Sequence, residues 1–451
     1  MKRKRVLSVM MAALMVASMV AGCGKSATAE GDKAGDAAET ETAAADDKDK
    51  VITFWHIGTD EPDISVFGNA VEEFNKNNKS GYKIEDVSVE SDAYKEKLLI
   101  AMSSGECPDI YTSWSGGPMD EYVDAGYAQP LDDLFAKSEW KDKLMDSALE
   151  QGKYNDKLYG IGMLNVAVAG IFYNKDIFQQ YNLEVPTTIS ELEKVCDTLV
   201  QNSVTPFALA NSEKWTGSMY FVNLATRKGG LKPFKDAVAG TGSFEDECFV
   251  WAGQKIQDWV NNGYFPEGVN SLSEGDGQSK QMFYTGEAAM KVMGSWDAGS
   301  YRADNPDFYN KVGWFPFPAA DGTDVDPSIM IGTTGDQFLS FNCTGKKLDA
   351  AFELMNYYFD DKYIQETVNA GRVMPVKDVE KLIGDDQPLE KQIMEKVSEA
   401  SDTQLWYDQY LPPAVSQTHL DTCQELFGLT ITPEDAAAEF QKSMQANLDG
   451  K

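Results

Sequence analysis

"VITFWHI" (51–57), "YKIEDVSVE" (82–90) and "PDIYTSW" (108–114) are short runs of β-branched and aromatic residues, and what lies between them decides the fold. The first gap holds "DISVFGNAVEEFNKNN" (63–78), where Ile64, Phe67, Val71 and Phe74 recur at helical spacing before an asparagine-rich stop. The second gap holds "SDAYKEKLLIAMSSG" (91–105), with Tyr94, Leu98 and Met102 on one helical stripe. Strand, helix, strand, helix, strand is the order of a parallel sheet with crossover helices, so the body opens as α/β. "DQFLSFN" (336–342) followed by "LDAAFELMNYYF" (348–359) repeats the alternation. The middle of the chain, from about 165 to 330, and its last part are more helical and richer in Trp, Tyr, Gly and Pro.

Upstream of this body the chain begins with Lys2, Arg3, Lys4 and Arg5, then an apolar run from Val6 to Ala21 broken only by Ser8 and Ser18. A membrane-spanning helix needs about 20 apolar residues, and this run is shorter. A basic start, an apolar centre and small residues at the end describe an export signal. Val20, Ala21, Gly22 and Cys23 resemble the bacterial lipobox, in which the cysteine thiol is acylated and becomes the mature N-terminus. An ordinary cleaved signal accounts for the basic and apolar parts but not for small residues abutting a cysteine. Residues 1–22 are therefore expected to be a lipoprotein signal peptide, with lipidation at Cys23. From Gly24 to Lys50 there is no aromatic or large aliphatic residue. Nothing there can offset ordering entropy, so 23–50 is expected to be a disordered acidic tether.

The formal net charge of the 451-residue chain is −32, and about −36 without the four basic residues ahead of Cys23. A polyanion of this kind repels nucleic acid and anionic headgroups, which argues against a nucleic-acid partner. The 42% hydrophobic and 11% aromatic content is that of a globular body with a sizeable core. Cys107, Cys196, Cys248, Cys343 and Cys423 are odd in number and scattered, without a CxxC pair, so they read as small buried groups rather than a disulfide scaffold.

Catalytic constellations are missing. Two histidines, His56 and His419, leave no HExxH and little scope for a Ser-His-Asp triad. "NCTGKK" lacks the upstream glycine and the Ser/Thr of a phosphate-binding loop, and "DGTDVDPS" lacks the glutamate that closes an EF-hand loop. With 72 Asp and Glu, any pair of carboxylates is uninformative. No enzyme activity, cofactor or metal is expected.

What the sequence offers instead is aromatic residues beside polar ones in loops: "FWHIGTDEP", "YTSWSGG", "SEKWTGSMY", "GSWDAGSY" and "QLWYDQY". Sugars present apolar C–H faces and rims of hydroxyls, so their sites pair flat rings with carboxylates and amides. Strand C-terminal ends are also where ligands bind in parallel α/β sheets.

"SSGECPDIY" (103–111), "GKYNDKLYGIGM" (152–163), "IFYNKDIF" (171–178), "MFYTGEAAMKVMGSW" (282–296) and "GRVMPV" (371–376) resemble, in order and spacing, segments of extracellular solute-binding protein family 1, the sugar-capturing components of ABC importers. The second departs from the family pattern where Gly162 and Met163 replace a proline neighbourhood. The resemblance implies a two-lobed periplasmic-binding-protein-like fold of type II, with ligand in the interlobe cleft and a hinge of crossing strands. Lobe one would be 51–163 plus 332–376, and lobe two 164–331 plus 377–451. The expected monomeric receptor is extracytoplasmic; the lipobox, read independently, fits it with an anchor through Cys23 on the outer face of the cell membrane, which suits a Gram-positive host without an outer membrane. Such a receptor passes a mono- or oligosaccharide to ABC permease subunits.

Expected ligand contacts are Trp55, His56, Asp60 and Glu61 after the first strand, with Trp114 as a stacking platform. Ser295 reads as an N-cap aiming free N–H groups at the cleft, with Trp296 and Asp297 beside the ligand. Trp215, Trp406, Tyr407 and Asp408 complete the set, while Trp314 in "VGWFPFP" reads as core. Two other readings stay open: a binder of a polyamine or another cation, and a surface glycosidase with two carboxylates about 5–10 Å apart.

Overall fold

The computed structural model describes residues 50–450. The expected signal peptide, Cys23 and the tether up to residue 49 lie outside the described residues. Within them the opening pattern is realised. Strand β1 (Val51–His56) pairs in parallel with β2 (Lys83–Ser88) and β3 (Ile110–Ser113). Helices Asp63–Asn77 and Ser91–Ser104 make the two crossovers. The first helix buries Val66, Phe67, Ala70, Val71 and Phe74. Ile64, placed on that stripe by spacing alone, is 47% exposed, because the first turn stands clear of the packed face. The second helix buries Tyr94, Leu98 and Met102 as its stripe requires.

The strands β4 (Lys153–Tyr154) and β5 (Lys157–Leu158) form a small ribbon that leads into β6 (Ile161–Gly162). β7 (Val166–Asn174) then starts a second sheet. That sheet gathers β8 (Thr205–Phe207), β9 (Ala288–Gly294), β10 (Val312–Phe315), β11 (Met330–Thr334) and β13 (Thr403–Gln404). β12 (Phe338–Phe341) returns to the first sheet, whose order is β2-β1-β3-β12-β6. Because β12 runs antiparallel to both β3 and β6, the sheet is mixed rather than purely parallel. Helices Gly345–Tyr358 and Asp361–Ala370 follow β12.

β7 is the spine of the second sheet and pairs antiparallel with β9, β10 and β11. Gly170 at its centre admits the Trp314 indole, whose ring atoms lie 2.2 Å from where a Cβ would stand. Trp314 is thus core, as its apolar neighbours imply. Two main apolar clusters result, one under each sheet, and a small third cluster sits around Tyr94, Tyr111 and Trp114. Cys196, Cys248, Cys343 and Cys423 are buried, Cys107 is half-buried, and all five are free thiols.

The chain passes between the sheets at three places, and Asn165 ties them together. Its carbonyl accepts the N–H groups of Gly335 (2.8 Å) and Asp336 (3.0 Å). Its side-chain oxygen accepts the N–H of Val373 at 3.1 Å, while Val166 N–H donates to the Val373 carbonyl at 2.8 Å. One buried residue, through its backbone carbonyl and its side chain, therefore links the crossings β6–β7, β11–β12 and 371–376. No helix among the described residues is long and apolar enough to cross a membrane.

Candidate functional site

The site lies between the two sheets, beyond the C-terminal ends of β1 and β3. Alternation along β1 sends Trp55 and His56 to opposite faces. His56 goes inward, contrary to the expected ligand contact. It is 2% exposed, its Nδ1 accepts the Gly58 N–H at 3.2 Å, and its ring stacks on Phe67 with centroids 4.3 Å apart. The proton therefore sits on Nε2, 3.5 Å from the Asp86 carboxylate. Trp55 is half-buried with the Lys97 ammonium 4.4 Å from its ring centre. Trp114, 5% exposed, is edge-on to Tyr94 and carries Lys95 Nζ at 5.0 Å. Both expected platforms in this lobe are thus covered by ammonium groups. Asp60 and Glu61 are exposed. The Glu61 carboxylate accepts the Ser65 hydroxyl at 2.9 Å, securing the first turn of the helix Asp63–Asn77.

The opposite wall is built from tryptophans in sequence. Trp215 opens the helix Trp215–Gly229, Trp296 follows β9, and Trp406 follows β13. Ring centroids are 6.4 Å apart for Trp215–Trp296 and 6.3 Å for Trp296–Trp406, both tilted pairs. Trp406 is buried, and its Nε1–H has no hydrogen-bond partner.

Three neighbours of this ladder differ from expectation. Ser295 does not cap a helix: its hydroxyl donates to the Val166 carbonyl (3.0 Å) and accepts the Val168 N–H (3.2 Å), fastening β9 to β7. The helix Asp297–Asp304 is preceded by Trp296, without a side-chain cap. Asp297 turns away from the cleft into a buried ionic group. Lys291 Nζ, 0% exposed, lies 2.9 Å from Asp297 and 2.8 Å from Glu274, and Tyr301 donates to Asp297 at 2.8 Å. Burial alone would raise the Asp297 carboxyl, but Lys291 and Lys280 outweigh it and hold it below its ordinary value. Tyr407 is core: its ring stacks on Phe234 at 4.2 Å.

The floor is charged, and most of it escaped the sequence reading. Asp336 lies in the β11–β12 crossing, with Asp63, Arg372, Asp408 and Lys95 acting on it electrostatically. Burial first, then the Asp63 charge, pushes the Asp336 carboxyl up to about 7. Asp408, which the sequence did single out, is also raised by burial, with Lys95 opposing. Arg372 pairs with Asp63 at 2.5 Å. Two cations therefore face three carboxylates, one of which holds its proton near neutrality, and the floor is close to electroneutral. Arg372 stood inside "GRVMPV" and Asp336 at the start of "DQFLSFN". Neither has a local pattern that reports a partner hundreds of residues away.

The lobes touch beyond the floor as well. A Cβ on Gly116 would lie 2.9 Å from the Tyr410 ring, and one on Gly275 would lie 3.6 Å from the Glu90 side chain. Two surface hollows of about 720 Å³ open elsewhere, one by Trp140 and Phe352, the other by Gln257 and Leu429. No cluster of metal-binding side chains occurs among the described residues.

Residues 58–365 match the family described as bacterial extracellular solute-binding protein. An uncharacterized ABC transporter extracellular-binding protein of Pyrococcus horikoshii is 28% identical over 228 residues, which span 50% of each chain. The chain thus spans about half the length of that relative. A multiple sugar-binding protein of Streptococcus mutans is 24% identical over 339 residues, 73% of this chain and 76% of that one. Among solved structures, one from work on xylan utilization by the thermophilic bacterium Caldanaerobius polysaccharolyticus superposes with a TM-score of 0.80. It is 32% identical and covers 87% of this chain and 99% of its own.

Proposed function

The chain belongs to the bacterial extracellular solute-binding protein family and has its two-lobed α/β architecture, and from that premise we propose that it captures a sugar, an oligosaccharide in particular, between its lobes and hands it to an ABC import permease. The observation that carries this reading is the Trp215–Trp296–Trp406 ladder facing a floor whose charges balance. The half-buried Trp215 and Trp296 rings, with buried Trp406 beside Trp296, offer stacking faces for a pyranose. Carboxylates and an ammonium offer acceptors and donors to hydroxyls, and the buried guanidinium balances their charge, so no charged ligand is demanded. The relatives that bind sugars support the same class. Ligand held by both lobes favours the closed arrangement, because contacts to the second lobe exist only there. The lobe limits that go with this reading are 51–163 plus 332–376 and 164–331 plus 377–451.

Thermal-shift measurement on the body from residue 50, against xylo-, malto-, chito- and raffinose-type oligosaccharides, tests it. A ligand at 100 times its Kd adds about 2.7 kcal/mol of stability. A shift with spermidine and none with any saccharide overturns it in favour of a cation binder, and release of shorter sugars from a bound oligosaccharide overturns it in favour of a glycosidase.

The same reading includes a lipid anchor at Cys23 on the outer face of a Gram-positive membrane and a monomeric body, supported by the basic, apolar and small-residue order at the start of the chain. Mass spectrometry of the exported protein should find a diacylglyceryl group on Cys23. Secretion of Cys23→Ser into the medium is the matching result, and unmodified Cys23 sinks the anchor.

A further inference from the structure

Arg372 is a buried cation that the two lobes share. The helix Asp361–Ala370 ends at Gly371, whose φ of 99° suits glycine, and the chain then runs along the crossing through the bonds of Val373 to Asn165 and Val166. The Arg372 side chain is 3% exposed. Its Nε donates to Asp63 Oδ1 at 2.5 Å in the first lobe, and its Nη1 to the Trp296 carbonyl at 2.7 Å in the second. Nη2 lies 3.5 Å from the Ser300 hydroxyl. Beside this fork the two backbones meet without side chains: a Cβ on Gly299 would lie 2.4 Å from the Gly371 carbonyl oxygen.

A buried guanidinium persists only if its donors are satisfied. Here each of its three nitrogens has a partner: a carboxylate from the first lobe, and a carbonyl and a hydroxyl from the second. That carbonyl belongs to the central ring of the tryptophan ladder. A lysine has one ammonium where arginine has a planar five-donor fork, and could not serve both partners from this place.

We propose that Arg372 is a positioning residue for the cleft: clamped between Asp63 and the Trp296 carbonyl at the Gly371–Gly299 contact, it forms the fulcrum on which the lobes turn and sets the Trp296 ring in the ladder. For its binding readout this rests on the sugar-capture reading; for its optical readout it does not.

The experiment compares wild type, Arg372→Lys and Gly299→Ala, each with and without Trp296→Phe. Acrylamide quenching of the difference between each pair isolates the Trp296 signal. Xylotriose, or the saccharide that stabilises the wild type in its place, is then titrated, with small-angle scattering of the free and bound forms. Arg372→Lys should make Trp296 severalfold more quenchable and raise the Kd about 10- to 100-fold, chiefly through faster release. Gly299→Ala keeps every charge but drives a Cβ into the fulcrum, so its sugar-bound form should scatter as a wider particle. It carries the test if Arg372→Lys folds poorly. Trp296 quenching unchanged in the folded variants overturns the proposal, as does a Kd within twofold of wild type in both. A wild type that binds no saccharide sinks the sugar reading alone, and the quenching result then decides the fulcrum.

Discussion

In the first lobe the cleft tryptophans meet ammonium groups; in the second, three tryptophans meet one another. Trp55 and Trp114 stand at the ends of parallel strands, within reach of Lys97 and Lys95 on one helix. Trp215, Trp296 and Trp406 come from three separate connections, and Trp296 is followed directly by Asp297 of the buried group with Lys291 and Glu274. The first arrangement is local and exchangeable, because a long flexible side chain can leave a ring. The second is assembled from distant segments and tied, through Asp297 next to Trp296, to paired charge in the core. On the sugar-capture reading, a ligand would meet a preset wall on one side and a yielding one on the other.

The comparison breaks most visibly at Lys291. Lys291→Met leaves two buried carboxylates unpaired and should lower unfolding free energy by about 3–5 kcal/mol in urea, whereas Lys97→Met should change it by less than about 1 kcal/mol. A small loss at Lys291 would mean the second wall is not tied to paired charge in the core. Next, calorimetric titration should show Trp296→Ala weakening saccharide binding by about 2–4 kcal/mol, as a central anchor does. Trp114→Ala should cost well under that, and equal losses would erase the distinction between walls. Smaller still, Lys97→Met should tighten binding by about 0.5–1 kcal/mol, the cation–π attraction a sugar otherwise displaces at Trp55.

The smallest effect is a pH slope. Asp336 holds its proton to about 7 in the folded protein against an ordinary 3.8, so the folded state binds more protons between those limits. Its stabilising share is complete below about pH 4 and is lost as pH rises through 7. His419 in the second lobe, pushed down to about 3 by burial, works oppositely, and its cost fades as pH rises from 3 to 6.5. Asp336→Asn should therefore steepen the rise in melting temperature from pH 4 to 7. An unchanged profile would remove Asp336 from the floor.

The parallel β1–β2–β3 unit was legible because its periods are local: 2 for strands, 3.6 for helices. The tryptophans were legible as loop residues with polar neighbours. Residues adjacent in sequence part company in the fold. Trp55 and His56 cannot share a face, and Trp406 faces the ladder while Tyr407 enters the core. Ser295 and Asp297 flank Trp296 on the turn after β9, but their polar atoms are consumed by β7 and Lys291. Asp63, Asp336 and Arg372 went unnoticed because their pairing depends on the crossings, and a crossing has no sequence period.

β12 lies between β3 and β6 in the finished sheet, although residues 163–337 separate it from β6 in the chain. Until residues 338–341 emerge from the ribosome, β3 and β6 have an empty slot between them, and the first lobe cannot close its core. Slow, non-local completion of this kind keeps a nascent chain extended. The strand order thus defers closure of the first sheet's core until most of the chain is available.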